Sequence, residues 1–410
     1  MLPSMEDGTI DLNVFRSRYD LPPVYEATLD YAFYALHVLH RLFEPQHKIP
    51  WMDIPIRVKS ELHQLAFVVY QAIRRKIHLQ WSIEDYAKVL HDEDLTEGEQ
   101  MVRFPPDSGT SDGTSDRLDI EHEPCVFVDK NGRILWWYLP AIIRESRWME
   151  FCNTVVSASA LTHPPFGRPP AMPRSQYQTL FREGSQFARG AARFSPAHFE
   201  ASSSVSPDIP YPSLPFRVDE RFQGFAILDA IGSETMAIIG AVLALTQPVL
   251  FHVSLEMLER MADGVVTVGQ PWVFHEVLRK WTSPFQTFTI YNNFSRPPHR
   301  FSDTHPMASD ILLSAGAGEC HRFTCPTLGR EFHFDPGTIC AGLTHLVCHG
   351  WAAAGNSDHL VCQFSVCEDL IQYVSPHRPI FPFTEDELGG YFHYLFEPPL
   401  DAGSDLHLAA

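Results

Sequence analysis

Between Thr287 and Val374 the chain is a succession of short apolar or alternating runs, and this stretch limits the fold more than any other. Phe288-Thr289-Ile290-Tyr291-Asn292-Asn293, Asp310-Ile311-Leu312-Leu313 and His359-Leu360-Val361-Cys362-Gln363-Phe364 each have the length and the β-branched or aromatic content of a strand. Asp335-Pro336-Gly337 and Gly355-Asn356 carry turn chemistry between such runs. The stretch therefore reads as an antiparallel β core, with histidines at strand-compatible places that include His299, His349 and His359; His345, four before His349, reads as an exposed turn or core histidine, with a ligand role as the rival reading.

The rest of the chain reads as support for that core. From Pro23 to Leu95, apolar residues return every three to four positions, first in Tyr25 to Leu39 and again in Ile56 to Ile77, which predicts helices. Ser82-Ile83-Glu84-Asp85 has the form of a capped start of a third. Residues 105–117 contain no large apolar side chain and predict a flexible loop. Two β-rich arms around Asn131-Gly132, from Cys125 to Pro140, predict a hairpin in which Trp136 and Trp137 pack. A Pro-, Ser- and Gly-dense stretch follows, with one short helix expected near Ser175 to Phe187, and the length without regular structure is that of a lid or an insertion. Helices are expected over Ser233–Leu245, Pro248–Met261 and Trp272–Trp281, and a capped short helix begins in Pro382 to Glu387. The organisation drawn from this is an N-terminal helical region at 1–100, a flexible linker at 101–118, and a hairpin and helix packing on the core at 119–162. A Pro/Ser-rich loop at 163–217, a β domain with leading helices at 218–375 and a C-terminal tail at 376–410 complete it.

Composition excludes several classes. Lys plus Arg number 31 against 50 Asp plus Glu, a formal charge of −19, which opposes sequence-independent attachment to a polyphosphate backbone. Met1 to Asp11 lacks the basic start and apolar run of a signal peptide, and the longest apolar run, Met236 to Val253, is broken by Gln247-Pro248. These features predict an intracellular protein, nuclear or cytoplasmic, that does not enter a membrane. Of the eight cysteines, Cys320, Cys325, Cys340, Cys348, Cys362 and Cys367 crowd into the β region, form no Cys-x-x-Cys pair and read as small buried strand residues, with zinc binding as the rival reading. No P-loop, Gly-x-Gly-x-x-Gly or Gly-x-Ser-x-Gly is present.

Two histidines about fifty residues apart in a β core, His299 and His349, point to a metal. An iron(II) held on one face by two imidazoles and a carboxylate keeps its other face open for a 2-oxoacid and dioxygen. Residues i and i+2 of a strand point the same way, so a His-x-Asp pair grips one ion and a barrel brings the distant histidine alongside.

The words Phe288 to Asn293, Pro298-His299-Arg300, Asp310 to Gly316, Leu328-Gly329, Asp335 to Thr338 and Cys348-His349-Gly350, with Val128 to Pro140 upstream, give the chain its family likeness. It resembles the TET/JBP-like 2-oxoglutarate and iron(II)-dependent dioxygenases numerous in mushroom-forming fungi. The resemblance covers most of residues 120–370 in short words. It implies an α+β protein with a double-stranded β-helix, or jelly-roll, core, preceded by helices and a buttressing hairpin. It further implies Fe(II) and 2-oxoglutarate as cofactors, DNA as partner, and oxidation of a methylated base. His299 and His349 would be the metal histidines. Phe301 stands where the family has its carboxylate, leaving Asp303 as the nearest acid to complete the metal set, and His359 stands near the place of the Arg that anchors the cosubstrate. These two departures leave a second expectation, a catalytically degenerate oxygenase-fold protein that serves as a scaffold or binding module.

Overall fold

The computed structural model describes residues 24–93, 95–106, 118–157, 180, 187, 190–199, 209–217, 223–318, 321–352, 357–374, 377 and 379–396. Within them lie eleven α-helices and two β-sheets, an α+β arrangement. The helical periodicity of the N-terminal part becomes α1 (Val24–Phe43), α2 (Ile56–Arg74), α3 (Ile83–Asp92) and α4 (Glu97–Arg103), with β1 (Lys76–His78) between α2 and α3. Ser82 starts α3 by accepting from the Asp85 amide, and Thr96 and Glu99 close a capping box on α4. Because α4 runs through residue 100, the helical region ends later than its composition indicates. The linker's residues 107–117 lie outside the described residues.

After β2 (Asp119–Glu121), the hairpin forms from β3 (Cys125–Val128) and β4 (Ile134–Leu139). Its turn differs from a two-residue Asn-Gly turn. Only Gly132 has positive φ, at +83°, and Asp129 organises the loop by accepting from the amides of Asn131 and Arg133. The same carboxylate accepts from Ile83 N at 3.0 Å and so ties the hairpin to α3. Trp136 and Trp137 point to opposite faces and are both buried, as packing residues.

α5 (Glu145–Ser157) follows the hairpin. The Pro/Ser-rich stretch then contributes a strand, β5 (Gly190–Phe194), at the edge of the larger sheet beside β6. Gly-Ala-Ala-Arg-Phe has little intrinsic strand preference, and pairing with β6 sets its conformation. Of the short helix expected near Ser175 to Phe187, all but residues 180 and 187 lie outside the described residues.

Four helices lead into the β region: α6 (Gln223–Ile231), α7 (Ser233–Thr246), α8 (Pro248–Ala262) and α9 (Pro271–Leu278). The break after α7 falls at Gln247, whose buried amide donates to Met307 O at 2.7 Å and accepts from Ser309 N at 2.8 Å. Among the described residues no single helix is long and apolar enough to cross a membrane. Eight strands follow: β6 (Thr287–Asn292), β7 (Arg296–His299), β8 (Asp310–Gly316), β9 (Arg322–Cys325), β10 (Arg330–His333), β11 (Ile339–Gly342), β12 (His349–Ala352) and β13 (His359–Ser365). The Asp335-Pro336-Gly337 turn is present, with Gly337 at φ +85°, whereas Gly355-Asn356 lies outside the described residues. α10 (Glu368–Val374) and α11 (Glu385–Phe396) end the fold, and Thr384 with Glu387 forms the expected cap.

The eight-stranded sheet has the order β1-β3-β4-β11-β8-β13-β6-β5, and the five-stranded sheet β2-β10-β9-β12-β7. One apolar core, which includes Trp137, Phe288, Ile311 and Phe364, joins the outer face of the larger sheet to the helices. A second, built on Trp136, Phe301, Phe323, Phe332 and Trp351, fills the space between the sheets. Alternation along β8 and β13, and along β4 from Trp136 onward, assigns successive side chains to the two cores, the period-two rule at work in strands buried on both faces.

Candidate functional site

His299 ends β7 and His349 begins β12, and the two are direct cross-strand partners. Their ring centroids lie 5.0 Å apart. In each, Nδ1 meets the carbonyl oxygen two residues back, Pro297 O at 2.9 Å and Val347 O at 2.8 Å. A carbonyl only accepts, so both rings carry their proton on Nδ1 and turn a bare Nε2 inward, as metal-bound histidines do. Both Nε2 atoms are buried without a hydrogen-bond partner. Burial lowers the pKa of His349 to about 3, with Arg296 and Arg300 adding to the shift. Burial, then Arg296 and His349, lowers that of His299 as well. Both imidazoles are therefore neutral at physiological pH.

A β-bulge decides what else faces the pair. His349 pairs with His299 and Trp351 with Arg296, so three steps along β7 match two along β12. The extra residue comes from Pro297-Pro298, which have no amide hydrogen to give to the ladder. Gly350 allows the strands to close there, since a Cβ on it would stand 2.4 Å from Arg296 O. The consequence is that Arg296 shares a face with His299, which an unbulged strand would forbid at that separation.

Phe301 occupies the third position. Its ring is 4.9 Å from His299 and 4.9 Å from His349, edge-on to both, and its amide donates to Thr344 O at 3.1 Å. The Arg296 guanidinium lies 4.6 Å above the Phe301 ring, and Tyr291, Phe294 and Trp351 surround it at 5.5 to 5.8 Å. Phe323 stacks on His349 from within the core.

Asp303 does not join them. Its carboxylate is half-exposed and held by Arg193 of β5 at 2.9 Å, and its backbone oxygen accepts from Glu368 N. Among the described residues no group of three or more His, Cys, Asp or Glu side chains is arranged to hold a metal ion. His345, with Nδ1 buried and unpartnered, also lies outside any such group. The zinc reading of the cysteines finds no ligand group either, and burial pushes the Cys125 and Cys348 thiols up to about 12, away from the thiolate that zinc requires.

His359, expected at the cosubstrate carboxylate, is buried with its Nε2 3.1 Å from Ser314 Oγ and its ring stacked 4.0 Å from His321. Ser314 Oγ donates to Phe334 O at 2.6 Å, so its oxygen accepts from His359. Asn293, at φ +49°, is a structural turn residue that binds Asp358, Phe187 O and the His359 amide. Asp310, likewise structural, accepts from Thr344 Oγ1 at 2.5 Å and Gln363 Nε2 at 3.1 Å.

Iron(II) and 2-oxoglutarate therefore fit this centre poorly. Two nitrogen donors are present, but a phenyl ring lies against both, a guanidinium stands over that ring, and His359 is stacked on His321 and bonded to Ser314. Sequence reasoning found the histidines and Phe301 but missed Arg296, whose signal was the adjacent Pro-Pro.

No family model and no curated protein matches this sequence. Among solved structures, the chain is similar to NgTET1, a TET1 from Naegleria, in complex with 5mC DNA. That likeness has 12% identity and a TM-score of 0.40, and covers 67% of this chain and 86% of the other. Likeness at this level assigns neither family nor activity.

Proposed function

We propose that this chain is a catalytically degenerate member of the oxygenase-fold class, with a double-stranded β-helix core, that acts as a binding module or scaffold. The order of its sheets supports the fold reading. β6, β8, β11 and β13 are contiguous in one sheet and β7, β9, β10 and β12 in the other, all paired antiparallel, so that the chain passes back and forth between sheets as in a jelly roll. The observation that carries the loss of chemistry is the Phe301 ring seated against both histidines at 4.9 Å. A carboxylate at that position would supply the third ligand; a phenyl ring supplies none and excludes a substitute.

A working dioxygenase is the second reading, and one specific observation favours it. Two buried Nε2 atoms without partners cost about 1–3 kcal/mol each, a cost that a metal would remove. In that reading His299 and His349 hold Fe(II), Asp303 turns away from Arg193 to join them, His359 lies near 2-oxoglutarate, and a methylated base in DNA is the substrate. The formal charge of −19 weighs against unassisted DNA binding.

Anaerobic addition of Fe(II) to the purified protein, followed by desalting and metal analysis, separates the two. The degenerate reading expects iron well below one equivalent and no 2-oxoglutarate turnover above that of an H349A control. One equivalent of iron, lost in H349A and accompanied by turnover, would establish the enzyme instead.

A further inference from the structure

Phe301 is one obstacle to a metal at the His299–His349 pair; we infer that Arg296 is a second and separate one, a resident cation that takes the charge position an ion would hold. The inference rests on the metal-free reading and extends it to a residue that no motif singles out.

Two observations support it. The Pro297-Pro298 bulge turns Arg296 onto the histidine face, opposite Trp351. There its guanidinium is held 4.6 Å over the Phe301 ring, while Nη1 donates to Tyr291 Oη at 3.2 Å and Tyr291 in turn donates to Gln363 Oε1 at 3.0 Å. The same ring lies 4.9 Å from each histidine, so a divalent ion on their nitrogens would meet the repulsion of this fixed cation.

Restoring the carboxylate alone should consequently fail to restore the site. A carboxylate introduced at position 301 would lie beneath the guanidinium that now covers the ring. A charge-assisted pair between them would take the oxygens that the ion needs. Release requires that Arg296 lose its charge as well.

The test uses the full chain and Co(II) as a redox-stable probe, titrated by calorimetry against F301D, R296Q, F301D/R296Q and F301D/R296K. Wild type and R296Q are expected to show no site dependent on His349, and F301D a weak one. F301D/R296Q should bind at least tenfold more tightly than F301D, and addition of H349A should abolish that binding. F301D/R296K keeps the charge without the planar fork and should stay within threefold of F301D. Equal affinity in F301D and F301D/R296Q would overturn the role of Arg296 while leaving the metal-free reading intact. Tight Co(II) binding by wild type that H349A removes would overturn the reading itself. Thermal melts report folding of each variant, and F301N, an uncharged oxygen donor, takes the place of F301D in every comparison if F301D does not fold.

Discussion

Asp310 shows how much a single side chain can depend on its surroundings. Fully buried at the start of β8, it is pushed well above the usual carboxylate range by burial, a shift only partly offset by the hydrogen bond from Thr344. Its Oδ1 has no partner. Below pH ~4 the folded and unfolded chains both hold this proton. Above it the unfolded chain releases the proton and the folded chain retains it, so this group's contribution to stability falls as pH rises toward the folded-state pKa. D310N keeps an acceptor for Thr344 and Gln363 and removes the titration. It is expected to raise the unfolding free energy at pH 7, measured by urea denaturation, by an amount on the order of 1 kcal/mol, with the gain shrinking toward pH 4. A midpoint that drops at pH 7 would show that the carboxyl is needed ionised. The sequence disclosed that His299 and His349 stand in the β region, since strand-length apolar runs and turn residues are local signals. It could not disclose that Asp303 pairs with Arg193, because that contact joins a loop to a strand 110 residues away.

At the scale of elements, the helical layer is fastened by one buried guanidinium. Arg147 of α5 donates to Glu61 of α2 at 2.9 and 3.2 Å and to Glu234 of α7 at 2.6 Å, so three helices meet on it. Arg147 and Glu61 are almost fully buried, with side-chain exposures of 5% and 9%. Removing one partner strands the other's charge, and R147A is expected to cost about 3–5 kcal/mol in equilibrium urea unfolding. The double variant E61L/R147M replaces the pair with apolar volume and should recover most of that loss. If E61L/R147M is no more stable than R147A, the desolvation account of this hub is wrong. Helix positions were legible in the sequence because apolar periodicity and caps such as Ser82 are local signals. β5 was not, since a five-residue edge strand takes its conformation from β6.

For the molecule as a whole, the regions that differ in composition do not separate physically. α1 packs on α7, α2 packs on β3 and β4, and β1 extends the larger sheet beside β3. Residues of α1, α2, α7 and the sheet share one apolar core. A fragment of residues 218–375 would expose that shared surface and lose β1, β3, β4 and β5 from the sheet. Such a fragment is expected to be insoluble or to lack cooperative unfolding, whereas residues 24–396 should melt in a single transition. A soluble fragment with its own sharp thermal transition would show that the β region is autonomous.

Local information marked most of the helices and the main strands of the β region, and it placed His299 and His349 in a β core with Phe301 two residues beyond the first of them. Periodicity, capping residues and turn chemistry act over a few residues, so they can be read without knowing what packs against them. The tertiary structure decided that Arg296 joins the histidine face, that Asp303 belongs to Arg193, and that the Pro/Ser-rich stretch supplies an edge strand. Each of these depends on register or on a partner strand distant in sequence, and pairing between strands is fixed only when the two sheets close on their common core.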